Sequence, residues 1–353
     1  MSELETAAEP GPADGSPFPP VDRAESGQKL LQFLQRRLNL PPALLHRWVR
    51  TGQVRLNGRR AKPFARVVEG DMVRLPPFAG ALAAQAGAPE PRARAPEASS
   101  SLPLPPLVAR LDDILAFHKP AGLPVHPGTG HTDSLSGRLR AHAPGAAFVP
   151  TPAHRLDRDT SGILLVAATH EALRDLQQAF RERRVAKEYV AWVEGAWPDA
   201  APRLLASHLR KEGARGAERV RACGPGEVGA REALSIVRLL TTGPDASLVQ
   251  IRLLTGRTHQ IRVQLAELGY PVLGDAKYGK GRRGGCPGLC LHALRVILPD
   301  GRAVECLPDW TGPFALNAVP EPMPATAPEG TCGENFATRS PLPAAGQGSG
   351  APH

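Results

Sequence analysis

The sequence predicts an α+β protein: a mixed, largely antiparallel sheet with flanking helices, preceded by a small N-terminal α/β module. Three observations carry this. From about residue 108, β-prone runs follow one another with few helical patterns between them, which suits antiparallel pairing better than alternating βα units. Upstream, a short stretch passes from helical spacing to a strong hairpin signal. Between the two, residues 78–106 turn to Ala, Pro, Gly and Ser, which reads as a linker setting the module apart.

At 353 residues and 42% hydrophobic content the chain exceeds the usual single-domain size and can bury a sizeable core. A net charge of +9 favours a polyanionic partner, nucleic acid or an anionic membrane surface. The membrane reading fails for want of a long apolar run, of a basic amphipathic helix with large apolar residues opposite, and of a basic-then-apolar leader. A soluble, cytoplasmic protein is expected. The five cysteines, at 223, 286, 290, 306 and 332, include no second close pair at zinc spacing, so reduced thiols and no metal are expected. No Gly-rich phosphate fingerprint follows a strand, so no nucleotide cofactor is expected either.

Residues 1–21 lack periodicity and are expected to be disordered. In the module, residues 22–77, Leu30, Leu31, Phe33, Leu34 and Leu38 recur at helical spacing until Pro41. A second helix runs from Pro42 to about Arg50 on Leu44, Leu45 and Trp48, and Asn57-Gly58 turns a hairpin after Val54-Arg55-Leu56. Val67 to Leu75 supplies another strand. From Lys29 to Arg66 there are ten basic residues, Arg36, Arg37, Arg47, Arg50, Arg55, Arg59, Arg60 and Lys62 among them, and no acid. A solvated helix face usually mixes both signs, so this patch reads as a footprint for phosphates.

The larger domain, residues 107–316, opens with a strand at Ile114–Phe117 and a turn-rich segment from His118 to Gly128. Helices are expected at Asp133–His142 and His170–Arg184. Strands follow at Glu188–Val193, Ala233–Leu240 and Leu248–Leu253, then a hairpin of Leu291–Leu298 and Arg302–Leu307 about Pro299-Asp300-Gly301. Residues 317–353 revert to Pro, Ala, Gly and Ser and are expected to be a disordered tail.

Three stretches carry polar residues that a fold alone does not demand. His154-Arg155-Leu156-Asp157-Arg158-Asp159-Thr160-Ser161-Gly162 sets an acid between arginines before a turn feeding an apolar strand, which is how a loop presents side chains from a rigid rim. Lys187-Glu188-Tyr189 places a tyrosine on the face shared by Ala191 and Val193. In Thr255-Gly256-Arg257-Thr258-His259-Gln260-Ile261-Arg262-Val263, Thr258 is a candidate cap for a helix that Gly269 ends, with His259 and Arg262 on one face. Each also has a plain structural reading: a surface ion pair, a core tyrosine, a helix-surface cation.

Together the three stretches resemble the motifs of the RluA-type pseudouridine synthases. Supporting matches are Lys119-Pro120-Ala121-Gly122-Leu123-Pro124-Val125-His126-Pro127-Gly128, Leu273-Gly274-Asp275-Ala276-Lys277-Tyr278-Gly279 and Leu291-His292-Ala293. The resemblance covers roughly Asp112 to Pro308. Val125-His126-Pro127-Gly128 and Gly216-Ala217-Glu218-Arg219-Val220 look most like the RluC branch, which acts on 23S ribosomal RNA. The module resembles the alpha-L RNA-binding fold, through Trp48 to Gly58 and Glu69-Gly70-Asp71.

What the resemblance implies is isomerisation of specific uridines without metal or nucleotide. Asp157 would act at the ribose, either attacking the anomeric carbon or removing a ribose proton. Arg262 would pair with Asp157 and keep it ionised. Tyr189 would stack on the displaced uracil, and Arg155 would fill the gap left by the flipped base. His154, Lys119, Arg257, His259 and Leu291 are expected at the substrate. A non-catalytic RNA-binding or ribosome-assembly protein is the rival reading, and tRNA the alternative substrate. The family pattern has His where this chain has Gln264, and Gly229 to Ala233 is less typical than the family's segment there; both departures point toward substrate identity rather than activity.

Overall fold

The computed structural model describes residues 19–62, 64–85, 102–127, 133–213, 219–279 and 288–325. Most of the expected disordered N-terminus, the linker from 86 to 101, positions 216–218 of the RluC-like match and the tail beyond 325 lie outside the described residues. The chain divides into two compact units, Met1–Arg184 and Val185–His353.

In the first unit, α1 (Leu30–Leu38) and α2 (Pro42–Thr51) form where expected. Asn39, left-handed at φ 52°, ends α1, and Pro42 starts α2, where its missing N–H costs nothing. The Asn57-Gly58 hairpin forms with both residues left-handed, at φ 50° and 73°, as a turn matching strand twist requires. It joins β1 (Arg55–Leu56) to β2 (Arg59–Arg60), and β3 (Val73–Arg74) pairs on the other side of β1. Leu30, Phe33, Leu34, Leu45, Trp48, Val49 and Val67 make the core beneath.

Three expectations for this region change. The linker begins as a helix, α3 (Ala79–Gln85), because Ala79 is wholly buried in the module core and Phe78 packs edge-on against Trp48. The acid-free patch is partly neutralised from outside the segment: Glu25, 1% exposed, takes both nitrogens of Arg37 at 2.5 and 2.8 Å. The module is also not set apart, since Arg23 reaches Asp113 at 3.1 Å and Arg36 reaches His170 at 2.9 Å.

The rest of this unit is a three-stranded antiparallel arrangement of β4 (Leu107–Leu111), β5 (Ile114–Lys119) and a later strand, β7. Helix α4 (Leu135–Ala141), capped by Ser134, and the short strand β6 (Thr151–Pro152) precede β7 (Ser161–Ala167), whose seven residues are all buried. Helix α5 (His170–Arg181) follows, with Thr169 accepting a bond from Ala172 N–H as N-cap.

The second unit is an antiparallel sheet in the order β10-β9-β11-β12-β8-β13. Its strands are β8 (Ala186–Glu194), β9 (Arg203–Glu212), β10 (Arg219–Cys223), β11 (Arg231–Thr242), β12 (Ala246–Leu253) and β13 (Leu291–Ile297), with β14 (Ala303–Glu305) paired to β13. Helix α6 (Gln260–Glu267) packs Val263 against Leu209, Val220 and Ala233. One face of the sheet buries Glu188, which takes bonds from Arg295 at 2.6 Å, Gln250 at 2.9 Å and Met323 N–H at 2.9 Å. The expected tail therefore starts later than residue 317: Met323 is 3% exposed, and Arg238, Arg252 and Arg295 donate to the carbonyls of Glu321, Met323 and Pro320. Arginines emerging from a sheet need acceptors, and this strap supplies them. Among the described residues no helix is long and apolar enough to cross a membrane.

Candidate active site

Asp157 sits, half-buried, on the loop from β6 to β7. A turn closed by Thr160 N–H on the Asp157 carbonyl at 3.2 Å delivers the chain into β7, so the acid is held one short turn from a wholly buried strand. Lys119 holds the loop from below. The register of β5 puts Lys119 opposite Gly162, and its buried ammonium donates to the carbonyls of Pro120 at 2.8 Å, Leu123 at 2.9 Å and Arg158 at 2.9 Å. The last of these joins the turn-rich segment after β5 to the residue next to Asp157. Burial pulls the Lys119 pKa down to about 7, against the opposing pull of Asp159 and Asp157.

This changes the expected place of Lys119. With no exposed surface and all three donors engaged it does not meet substrate directly; it shapes the loop that does. His154 changes in the same way. Leu165 N–H donates to its Nε2 at 3.0 Å, which places the neutral ring's proton on Nδ1, and the ring lies 4.7 Å from that of Phe180. Arg155, by contrast, is exposed.

In the second unit the third motif and the Leu273–Gly279 segment form one cluster. Arg262 is 7% exposed and donates twice to Asp275, Nε and Nη2 each at 2.7 Å. Burial alone would push the Asp275 carboxyl up, but Arg262 and the N–H groups of Lys277 and Tyr278 outweigh it and hold the carboxyl below its usual range. The Tyr278 ring lies under two guanidinium groups, 5.2 Å from Arg262 and 5.4 Å from Arg219, and its hydroxyl meets His259 Nδ1 at 2.7 Å. Gly279 is required by close approach: a Cβ there would meet the Asp275 carbonyl at 2.9 Å.

The expected cap, Thr258, is displaced. His259 is the N-cap, left-handed at φ 53° and without a side-chain cap bond; instead Gln260 Oε1 accepts from Arg257 N–H at 3.0 Å and Thr255 Oγ1 at 2.8 Å. Arg257 also donates to the Glu232 carbonyl at 2.9 Å. Gln264, 1% exposed, donates to the Ala233 carbonyl and Ser207 Oγ at 3.0 Å each and accepts from Ser235 Oγ at 2.8 Å. A side chain this enclosed joins α6 to the sheet and reads no substrate, which corrects the expectation drawn from its departure from the family pattern.

Tyr189 lies on β8 between Ile251 of β12 and Ala293 of β13, 7% exposed. Leu291, 3% exposed, pairs with Ala191 on the neighbouring strand. Lys187 shares the face of Tyr189, and its ammonium crowds Gly256, where a Cβ would stand 3.1 Å away; burial lowers its pKa. Asp275 and Tyr278 were not identified as neighbours of Arg262 from sequence. Their one signal is that Asp275 lies inside a segment matching the family while carrying no expected role.

Comparison with known proteins gives the family. The family model described as RNA pseudouridylate synthase matches residues 113–267. Ribosomal large subunit pseudouridine synthase C of Vibrio cholerae is 37% identical over 288 residues, covering 79% of this chain and 87% of that protein. Its Escherichia coli K12 namesake is 36% identical over 257 residues, covering 72% and 77%. A solved human structure, RNA Pseudouridylate Synthase Domain Containing 1, matches with a TM-score of 0.48 and 31% identity over 57% of this chain and 82% of that one. On the strength of these bacterial relatives, the chain belongs to the RNA pseudouridylate synthase family, among its RluA-type, RluC-like members.

Proposed function

We propose that this chain isomerises particular uridines of large-subunit ribosomal RNA to pseudouridine, with Asp157 as the acting carboxylate. The likeness to ribosomal large subunit pseudouridine synthase C over 79% of the chain carries the reading. The pinned loop around Asp157 supports it from chemistry: a carboxylate that must meet one ribose atom needs a fixed origin, and the Lys119 bonds beneath that loop supply one.

The reaction breaks the bond from uracil N1 to ribose C1′, turns the base, and forms a bond from C5 to C1′. N1 gains a proton and C5 loses one, so atoms balance without redox chemistry. Asp157 either attacks C1′ or removes a ribose proton in the first stage. Tyr189 stacks on the freed uracil, and Arg262, fixed by Asp275, serves the same reaction by the motif resemblance. The exposed Arg155 fills the space of the flipped base, offsetting part of an unpairing cost of a few kcal/mol.

Because C5 gives up its hydrogen, RNA transcribed with 5-tritiated uridine releases tritium to water as the reaction proceeds. Wild-type protein is expected to release it from large-subunit RNA, and Asp157→Asn to bind that RNA with unchanged affinity while releasing none. Release by the Asn variant at the wild-type rate would remove Asp157 from the chemistry.

A further inference from the structure

Phe64 is 68% exposed, on the loop after β2, whereas Phe33 and Trp48 of the same module are buried in its core. The Lys62 ammonium lies 5.8 Å from the centroid of the Phe64 ring, within cation–π range. Phe64 also lines a groove of about 370 Å³ between α1 and α2, whose polar lining includes Lys29, Gln32, Gln35 and His46. That volume is at the small end of ligand sites, enough for one nucleotide and too small for a folded element.

From these features we infer that the Phe64 groove takes a single unpaired nucleotide of the substrate RNA, its base stacked on the Phe64 ring and its phosphate beside Lys62 and Lys29. The inference rests on the reading of the module as RNA-binding. A base has a π face for the ring, edges for the amides of Gln32 and Gln35, and a negative phosphate for the two lysines. Charge chooses nucleic acid over an apolar peptide, because the segment from Lys29 to Arg66 holds ten basic residues and no acid. Several of those cations are engaged within the protein: Arg37 by Glu25, Arg36 by His170, and Arg60 and Arg55 by the Arg50 and Gly58 carbonyls. Lys29 is exposed in the groove lining, and Lys62 is exposed beside the Phe64 ring. Stacking makes the site tolerant of base identity, while the need for a free π face makes it selective for unpaired RNA.

The test uses the full chain with two fluorescein-labelled probes, a 12-mer oligouridylate and a blunt 12-base-pair RNA duplex, followed by anisotropy across a salt series. Phe64→Ala is expected to weaken the single strand about tenfold, the scale of one lost stacked base, and to leave the duplex and the salt slope unchanged. Phe64→Trp keeps a π face and is expected to bind as wild type; Phe64→Leu keeps apolar bulk only and is expected to bind as Phe64→Ala. Equal affinity of all four proteins for the oligouridylate overturns the inference, as does an equal loss on both probes or a Leu variant as tight as wild type. The underlying module reading fails separately: it falls if Arg47→Gln/Arg50→Gln/Arg59→Gln leaves the salt slope of the full chain unchanged, whatever Phe64 does.

Discussion

Arg262 and Asp275 show how much of this protein's stability rests on single buried charges. The guanidinium side chain is 8% exposed and the carboxylate not at all, joined by two bonds of 2.7 Å. Removing one partner of a buried, hydrogen-bonded ion pair typically costs about 3–5 kcal/mol. Asp275→Asn is therefore expected to lower the unfolding free energy by that amount, seen as a lower urea midpoint with an unchanged denaturant slope. A loss below about 1 kcal/mol would show that the pair is dispensable. Gln264 makes a smaller version of the same case: Gln264→Leu leaves Ser235 Oγ and the Ala233 carbonyl short of a buried partner and is expected to cost about 1–3 kcal/mol in the same measurement. The sequence marked Arg262 as chemically important but showed Asp275 only as part of a matching segment, because the pairing spans a helix and a loop whose approach depends on Gly279.

At the scale of elements, the loop bearing Asp157 depends on the wholly buried β7 and the largely buried β5, with Lys119 beneath. Burial lowers the Lys119 pKa from the ordinary lysine value of 10.5 to about 7. Between those values the unfolded chain holds a proton that the folded chain has released, so this group makes stability rise with pH across the window, by at most about 1.4 kcal/mol per unit. Below pH 7 both states are protonated and the contribution is flat. Lys119→Met abolishes the titration, so the stability difference, wild type minus variant, is expected to grow from pH 7 to 9. A difference that stays level or shrinks would contradict the assignment. The elements themselves were mostly legible: α1, α2, α4, α5, β5, β7, β8, β11, β12 and the β13–β14 hairpin follow the apolar periodicity and turn residues. The strands β9 and β10 were not anticipated, although β9 alternates, with Leu205, Ser207 and Leu209 buried and the residues between them half-buried. Its many charges masked the period-2 signal. The strap at Glu321–Met323 was illegible for a different reason, since it is held by its backbone carbonyls, which composition does not report.

The composition pointed to a polyanion, and the motif order pointed to uridine isomerisation. The module's charges read as free when counted along the sequence, yet the fold pairs Arg37 with Glu25 and Arg36 with His170. A charge count along one segment overlooks acids folded in from outside it. The central claim is that Asp157 converts uridine at defined positions of large-subunit ribosomal RNA. Its most direct test is a pseudouridine map of total RNA from cells lacking this protein, restored with wild type or with Asp157→Asn. Loss of specific large-subunit sites on deletion, regained with wild type and not with Asp157→Asn, is the expected result. Sites that survive deletion unchanged, or that return equally with the Asn variant, would contradict it.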